Sequence, residues 1–222
     1  GGNDAGSESL ANTLNASAKS FQAAENNATS GIALLELAEN ALTELNNLAT
    51  RLKEVGIADT QSTNTTADTA ALNAEAIYIS DTIDSIISSL TYNSINILGT
   101  SAKTFDVGIN DAGNTQEIKS TTGITTTNIN DATGANGSMD TALGEITQSL
   151  GAVAGSLTSL QAYRNVATTT AAHLMEAASN LQDTDFAEET AKITKQSLIK
   201  NYALAMVATA NAEEIEKLKL LA

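Results

Sequence analysis

Few residues of this chain carry groups that do covalent or acid–base chemistry. His173 is its only histidine and cysteine is absent, so thiolate or multi-histidine metal ligation lacks donors. No base stands with a nucleophile in any legible arrangement, and His173 reads as a helix position beside an apolar seam. Asp183 and Asp185 have the side chains for paired-carboxylate acid–base work, but two aspartates at a helix start are more simply caps that favour the dipole. Asp106, Asn110, Asp111 and Asn114 could offer oxygen ligands to calcium. The calcium-loop pattern with its closing glutamate is missing, however, and a polar turn accounts for them. There is no glycine-rich phosphate loop. The expectation is a chain with no catalytic set, cofactor or metal: not an enzyme.

Composition narrows the classes further. The 222 residues are 42% hydrophobic but only 3% aromatic, with no Trp and no Pro. An interior of Ala, Leu, Ile and Val suits helices that approach closely, and a chain without Pro permits very long ones. The formal net charge is −15, with only 11 Lys and Arg, spread without a clustered stripe. A nucleic-acid partner needs such cations at phosphates, and an anionic membrane surface needs them too, so neither is expected. No apolar run reaches the roughly 20 residues of a membrane-spanning helix, and no cleavable signal peptide is legible.

Long helices must then carry whatever function there is. From about Ser9 to Glu54, alternating steps of three and four give Leu14, Ser17, Phe21, Ala24, Ala28, Gly31, Leu35, Ala38, Leu42, Leu45, Ala49 and Leu52. All but Ser17 are apolar or Gly and all but Phe21 and the leucines are small, a sustained heptad seam. Ile32, Leu34, Leu37, Ala41 and Leu48 widen it to more than one partner. Gly56 to Asp68, rich in Ser, Thr, Asn and Asp, predicts a break. A second helix is predicted over about Thr69–Leu90, with Leu72, Ile79, Ile83, Ile86 and Ile87 on its apolar face. Ile95, Ile97 and Leu98 then read as an extended stretch. Phe105, Val107 and Ile109 alternate with polar residues, a polar turn follows at Asn110–Asn114, and Thr115–Lys119 resumes with Ile118, which predicts a β-hairpin. Ser120–Gly137 is expected to be an exposed loop or a small strand pair. A seam of Met139, Leu143, Ile146, Leu150, Val153, Leu157, Leu160, Arg164, Ala167, Ala171, Leu174, Ala178 and Leu181 predicts another long helix, broken at Gln182–Asp185. A last one runs from near Ala187 to about Leu218, almost uniformly small between Ala203 and Ala212. The fold class expected is mainly α: a long antiparallel helical rod or coiled-coil bundle with a small β-hairpin region mid-chain.

Four motifs in order resemble the bacterial flagellins. Ala41-Leu42-Thr43-Glu44-Leu45-Asn46-Asn47 with Arg51-Leu52-Lys53-Glu54 resembles the end of that family's first shell helix. Leu90-Thr91-Tyr92-Asn93-Ser94-Ile95-Asn96-Ile97-Leu98 resembles the segment where the second helix meets the hairpin. Gln182-Asp183-Thr184-Asp185-Phe186-Ala187 resembles the joint before the C-terminal helix, and Ala208-Thr209-Ala210-Asn211 the Ala-Gln-Ala-Asn signature near the end. The family's Pro after that signature is replaced by Ala212-Glu213-Glu214, which keeps the helix running. The family also carries a further N-terminal helix before the point matched by Asn3-Asp4-Ala5-Gly6. The implied domains are shell helices over 1–98, a hairpin and variable exposed loop over 99–137, a C-terminal shell helix over 138–182 and an inner-tube helix over 183–222.

The resemblance implies a structural subunit of the flagellar filament, extracellular and self-assembling into a helical homopolymer for motility. It implies an assembly helix bearing Leu198, Tyr202, Ala205, Ala208 and Asn211. It also implies contacts with flagellar cap, junction and export chaperone proteins. An innate-immune Toll-like receptor is implied at a shell-helix patch where Arg51 and Glu75 match polar positions, framed by Leu52 and Val55; the plainer reading of the same patch makes Arg51 and Glu54 inter-subunit salt-bridge residues, because filament packing buries that face. Val55 stands where the family typically has Leu. Exposed Thr63, Thr65, Thr66 and Thr121 to Thr127 would be candidates for O-linked sugars. A hook–filament junction protein shares the helical ends. A chemoreceptor-like signalling coiled coil shares the composition, but its hairpin turns tightly, without strands.

Overall fold

The computed structural model describes the backbone of residues 2–125 and 129–220, with side chains over the same span except at 2–5, 183–186 and 216–220. In chain order the elements are α1 (Gly2–Asp59), α2 (Thr66–Ser89), β1 (Thr91–Tyr92), β2 (Ile95–Asn96), β3 (Lys103–Gly108), β4 (Thr115–Thr121) and α3 (Ala135–Leu220). The architecture is mainly α with two small antiparallel sheets, β1–β2 and β3–β4. The chain divides into two compact units, one of residues 19–171 and one of residues 1–18 with 172–222.

The larger unit holds the core. On α1 the seam residues Ala24, Ala28, Gly31, Leu35, Ala38, Leu42, Leu45, Ala49 and Leu52 are all buried, and their 3–4 spacing is the reason: it keeps one stripe of the helix facing its partners. Lys53 pairs with Asp140, while Gly31 lies against Leu160, so α3 runs antiparallel to α1. On α3 the buried set of this unit is Ala135, Met139, Ala142, Ile146, Ser149, Val153, Leu160, Ala167 and Ala171, with Leu143, Leu150 and Leu157 only partly covered. The buried face is therefore rotated slightly from the predicted seam.

Length explains the hairpin. The 24 residues of α2 span about 36 Å, whereas residues 19–59 of α1 span about 60 Å at 1.5 Å per residue. Beyond the end of α2 the seam of α1 and α3 needs another cover, and β3–β4 provides it. Val107 and Ile118 lie over Gly31, and the hairpin end at Asn110–Gly113 lies near Ser20 and Ala24. Val107 pairs with Gln116 and Phe105 with Ile118, so strand alternation sends Val107 and Ile118 into the core.

The helix ends are closed by side chains. Thr65 caps α2: its Oγ1 accepts from Asp68 N at 3.3 Å, while Asp68 Oδ2 accepts from Thr65 N at 2.9 Å. Asn64 Nδ2 donates at 2.9 Å to the Ala58 carbonyl at the end of α1, which also accepts from Gln61 N at 3.3 Å, and Asn96 Nδ2 donates to the Ser88 carbonyl at 2.7 Å at the end of α2, so side chains serve the helix-end acceptors.

Several expectations are corrected. Gly56 belongs to α1, and the break shrinks to Thr60–Thr65. A Cβ at Gly56 would stand 2.8 Å from Asn136 N and 3.1 Å from Ala132 O, so the glycine admits another stretch of backbone rather than ending the helix. The stretch before Leu98 contains a tight turn instead of a plain extended run: Asn93 and Ser94 take φ of 50° and 65°, joining β1 to β2 as the primed hairpin turns do. The predicted break at Gln182–Asp185 is absent, and α3 runs 86 residues through it. Asp and Thr cost a helix only about 0.7 kcal/mol each or less relative to Ala, and no Pro enforces a stop. The boundary between 182 and 183 thus coincides with no element end, and the side chains of Asp183 and Asp185 lie outside the described residues.

The largest correction concerns Ser120–Gly137. Ser120, Thr121, Ile124, Ile129, Ala132 and Ala135 are buried while Thr125, Asn130, Asp131, Thr133 and Gly134 are exposed, so the described residues, 120–125 and 129–137, form a strap packed on the bundle through one side and not a freely exposed loop. Of the Thr121–Thr127 run predicted to face outward, Thr121 is buried and Thr122 half-buried, Thr125 is exposed, and Thr126 and Thr127 lie outside the described residues. Thr63, Thr65 and Thr66 are exposed.

Candidate interaction surfaces

The strap is held by polar side chains that carried no sequence signal. Ser149, wholly buried on α3, accepts from Thr122 N at 3.1 Å and shares hydrogen bonds with the Thr121 and Thr122 hydroxyls at 3.2 and 3.0 Å. Ser156 Oγ accepts from Lys119 N at 3.0 Å, and the Glu145 carboxylate accepts from Thr125 N at 2.6 Å and Thr125 Oγ1 at 2.9 Å. Ser120 Oγ donates to the Ile97 carbonyl at 2.6 Å. Further on, Asn73 Oδ1 accepts from Ala132 N at 2.8 Å and Asp59 Oδ2 from Thr133 Oγ1 at 2.9 Å. All three helices therefore satisfy the strap's backbone or hydroxyl groups, as a buried irregular segment requires. Gly123, at φ 103° and with its Cα hydrogens facing the Thr100 carbonyl, allows the bend that starts it.

The predicted patch on the α1–α2 pair separates into two parts. Arg51 Nη2 lies 2.7 Å from Glu75 Oε1 and Arg51 Nη1 lies 3.3 Å from Glu54 Oε2, with Arg51 about half exposed at 55%. Hydrogen bonds to Glu75 and then Glu54, with their charges, raise the guanidinium pKa above its ordinary value. Leu52 and Val55 are buried in the core. They support the helix from beneath and do not frame a surface. The antiparallel pairing of α1 and α2 thus brings Arg51 and Glu75 together and takes Leu52 and Val55 away.

Leu198, Tyr202, Ala205, Ala208 and Asn211 lie on the last third of α3. Every residue from Ala187 to Ile215 is exposed, including Ile193, Leu198, Ile199, Tyr202, Leu204 and Val207. Apolar side chains occur on all sides of this stretch. In the same unit Ala11, Ala18 and Ala178 are buried.

The residues with chemical potential are engaged locally. Asn110 Oδ1 accepts from Asn114 N at 2.9 Å, and Ile109 N donates to the Asn114 carbonyl at 2.9 Å, which closes the hairpin turn. His173 is exposed, 3.8 Å from Glu176. Burial, and then neighbouring Asp81, pushes the Asp84 carboxyl up from its ordinary value, while hydrogen bonds from the Thr65 side chain and backbone pull Asp68 down. Among the described residues no group of three or more His, Cys, Asp and Glu is arranged to hold a metal ion, and no helix is long and apolar enough to cross a membrane.

The chain thus combines a helical body bearing a small hairpin with an exposed apolar helix stretch, and it is similar to known proteins. Residues 1–104 match the bacterial flagellin N-terminal helical region. A flagellin of Halalkalibacterium halodurans is 28% identical over 99% of this chain and 85% of its own length. A flagellar filament core protein of Brachyspira hyodysenteriae is 25% identical over 99% of this chain and 86% of its own. A Salmonella typhimurium flagellin is 32% identical over 52% of this chain but only 23% of its own length. The crystal structure of Bacillus cereus flagellin superposes with a TM-score of 0.55 at 26% identity, covering 64% of this chain and 88% of that one. Over its N-terminal part and along nearly its whole length the chain is thus similar to the bacterial flagellins.

Proposed function

We propose that this chain is a structural subunit of the flagellar filament, laid down outside the cell, whose role is mechanical packing rather than turnover. The observation that carries this reading is the Ala187–Ile215 stretch, apolar on several sides and covered by nothing in the single chain. An exposed apolar surface of this kind marks an interaction site. A helix that is apolar all round needs neighbours on more than one side, and copies of the same chain, related by a rotation that does not close, supply them in a filament. Purified protein brought to polymerising conditions and viewed by negative-stain electron microscopy should form filaments. Truncation before Ala187 should leave a folded body of residues 19–171 that does not polymerise. Persistent monomers of the full chain would remove the basis for the proposal.

The matched relatives are named as flagellins and a filament core protein, which favours the filament over a hook–filament junction role or a signalling coiled coil. Cap, junction and export chaperone proteins are the further partners that filament building requires. Toll-like receptor recognition is proposed for Arg51 with Glu75, on the strength of their exposed pairing across α1 and α2. Arg51→Ala should weaken binding of free subunit to the receptor ectodomain several-fold, since Arg anchors interfaces through its planar fork. Equal binding by the variant would leave Arg51 as a packing residue.

A further inference from the structure

The chain contains three Met and no Cys, so thioethers are the only sulfur an oxidant meets. Their settings differ. Met139 lies in the core of the larger unit, 2% exposed, Met175 is 48% exposed, and Met206 is 70% exposed on the apolar stretch of α3. Met206 follows Tyr202 by four residues and Ile199 by seven, positions that share one helix face, and both are likewise exposed. We propose that Met206 is a peroxide-sensitive modification site whose oxidation blocks assembly of the free subunit.

The inference rests on the filament reading above, because it needs the Ala187–Ile215 stretch to be buried against other copies. The chemistry is a two-electron oxidation. A sulfur lone pair attacks one oxygen of hydrogen peroxide, the O–O bond breaks and an S–O bond forms. The departing hydroxide is protonated to water as the transferred oxygen loses its proton, leaving methionine sulfoxide. Susceptibility follows access, and the product replaces a flexible apolar group by a polar, chiral one. At a face that must be desolvated between helices, the sulfoxide oxygen would lose its water without gaining a donor. Once the filament has formed, the same packing shields the sulfur. Peroxide therefore acts on subunits that have not yet assembled and spares those already in place.

The test treats full-length monomer and preformed filaments separately with hydrogen peroxide, maps sulfoxide by peptide mass spectrometry and then measures polymerisation. Met206 of the monomer should convert about tenfold faster than Met139, and its rate should drop in filaments. Oxidised monomer should polymerise poorly, and methionine sulfoxide reductase should restore it. The volume-conserving Met206→Leu variant should polymerise and resist peroxide, whereas Met175→Leu should remain sensitive. Should Met206→Leu prove defective for other reasons, reductase rescue of the oxidised wild type still decides. Untreated protein that never polymerises defeats the filament reading itself. Untreated protein that polymerises, with Met206 oxidised and assembly unimpaired, or with loss of assembly tracking Met175 alone, overturns this proposal and leaves the filament reading standing.

Discussion

Gly31 and Gly56 both sit on the buried face of α1, but the space each leaves is used differently. A Cβ at Gly31 would meet the ends of side chains, Leu160 Cδ1 at 2.8 Å and Val107 Cγ2 at 3.1 Å, whereas one at Gly56 would meet backbone, Asn136 N at 2.8 Å and Ala132 O at 3.1 Å. Side-chain ends can rotate away and backbone cannot. Gly→Ala inside a helix gains about 1 kcal/mol of propensity, so Gly31→Ala should come out near neutral. Gly56→Ala should lose about 1–3 kcal/mol from overpacking. Urea unfolding of the two variants compares them, and equal losses would show that the Gly31 site cannot relax. Ser149 offers a second single-residue test. Ser149→Ala removes the partner of Thr122 N and of the Thr122 hydroxyl and leaves Thr121 Oγ1 only its bond from Gly123 N, costing about 1–3 kcal/mol. Thr158→Ala removes only an exposed bond to the Ala154 carbonyl of its own helix and should change stability by less than about 0.5 kcal/mol.

Among the elements, α2 carries two carboxylates with opposite responses to acid. Asp68 is held below its ordinary pKa by Thr65, so the stability from its capping box is present above the unfolded-state pKa. It is lost as pH falls through the lower folded value. Asp84 is raised by burial and then by Asp81, so its charge penalises folding at neutral pH, and that penalty is relieved as pH falls through its folded value. Thermal midpoints from pH 7 down through the carboxylate range should separate the two. Asp68→Asn should lower the midpoint at neutral pH and flatten the acid-side loss. Asp84→Asn should raise the midpoint at neutral pH and converge on wild type in acid. Parallel curves for the two variants would contradict the opposed assignments.

For the whole molecule the contrast lies between a packed body and an uncovered helix. Residues 19–171 bury the apolar core, while Ala187–Ile215 buries nothing within the chain. A lone helix without tertiary contacts is marginal in water. Amide exchange in the free subunit should therefore be fast across Ala187–Ile215, slow across Leu35–Leu52, and should slow markedly over the former in filaments. Strong protection of that stretch in the free subunit would mean that it packs within one chain. Ala208, small and exposed on the same stretch, tests how closely neighbours approach. Ala208→Leu should cost about 1–3 kcal/mol per contact through overpacking, read as a raised critical concentration for polymerisation.

Periodicity alone determined the long helices, the antiparallel hairpin around Asn110–Asn114 and most of the α1 face, because a 3–4 or period-2 apolar pattern has one geometry that buries it. Motif order pointed to the flagellins before any contact was known. Tertiary structure decided what short-range pattern could not. Ser120–Gly137 looks like a loop since Thr, Asn and Gly satisfy no periodicity, yet Ser149, Glu145 and Asn73, remote in sequence, supply the bonds that let it be buried. Gly56 resembles a breaker until the backbone packed against it is seen, and Gln182–Asp185 resembles a joint although weak propensities alone do not stop a helix. Arg51 and Glu75 share a surface only because α1 and α2 run antiparallel. The same rotation of α1 that exposes Arg51 turns its neighbour Leu52 inward, since adjacent residues on a helix point about 100° apart, and Val55, which falls between them in angle, is buried by packing.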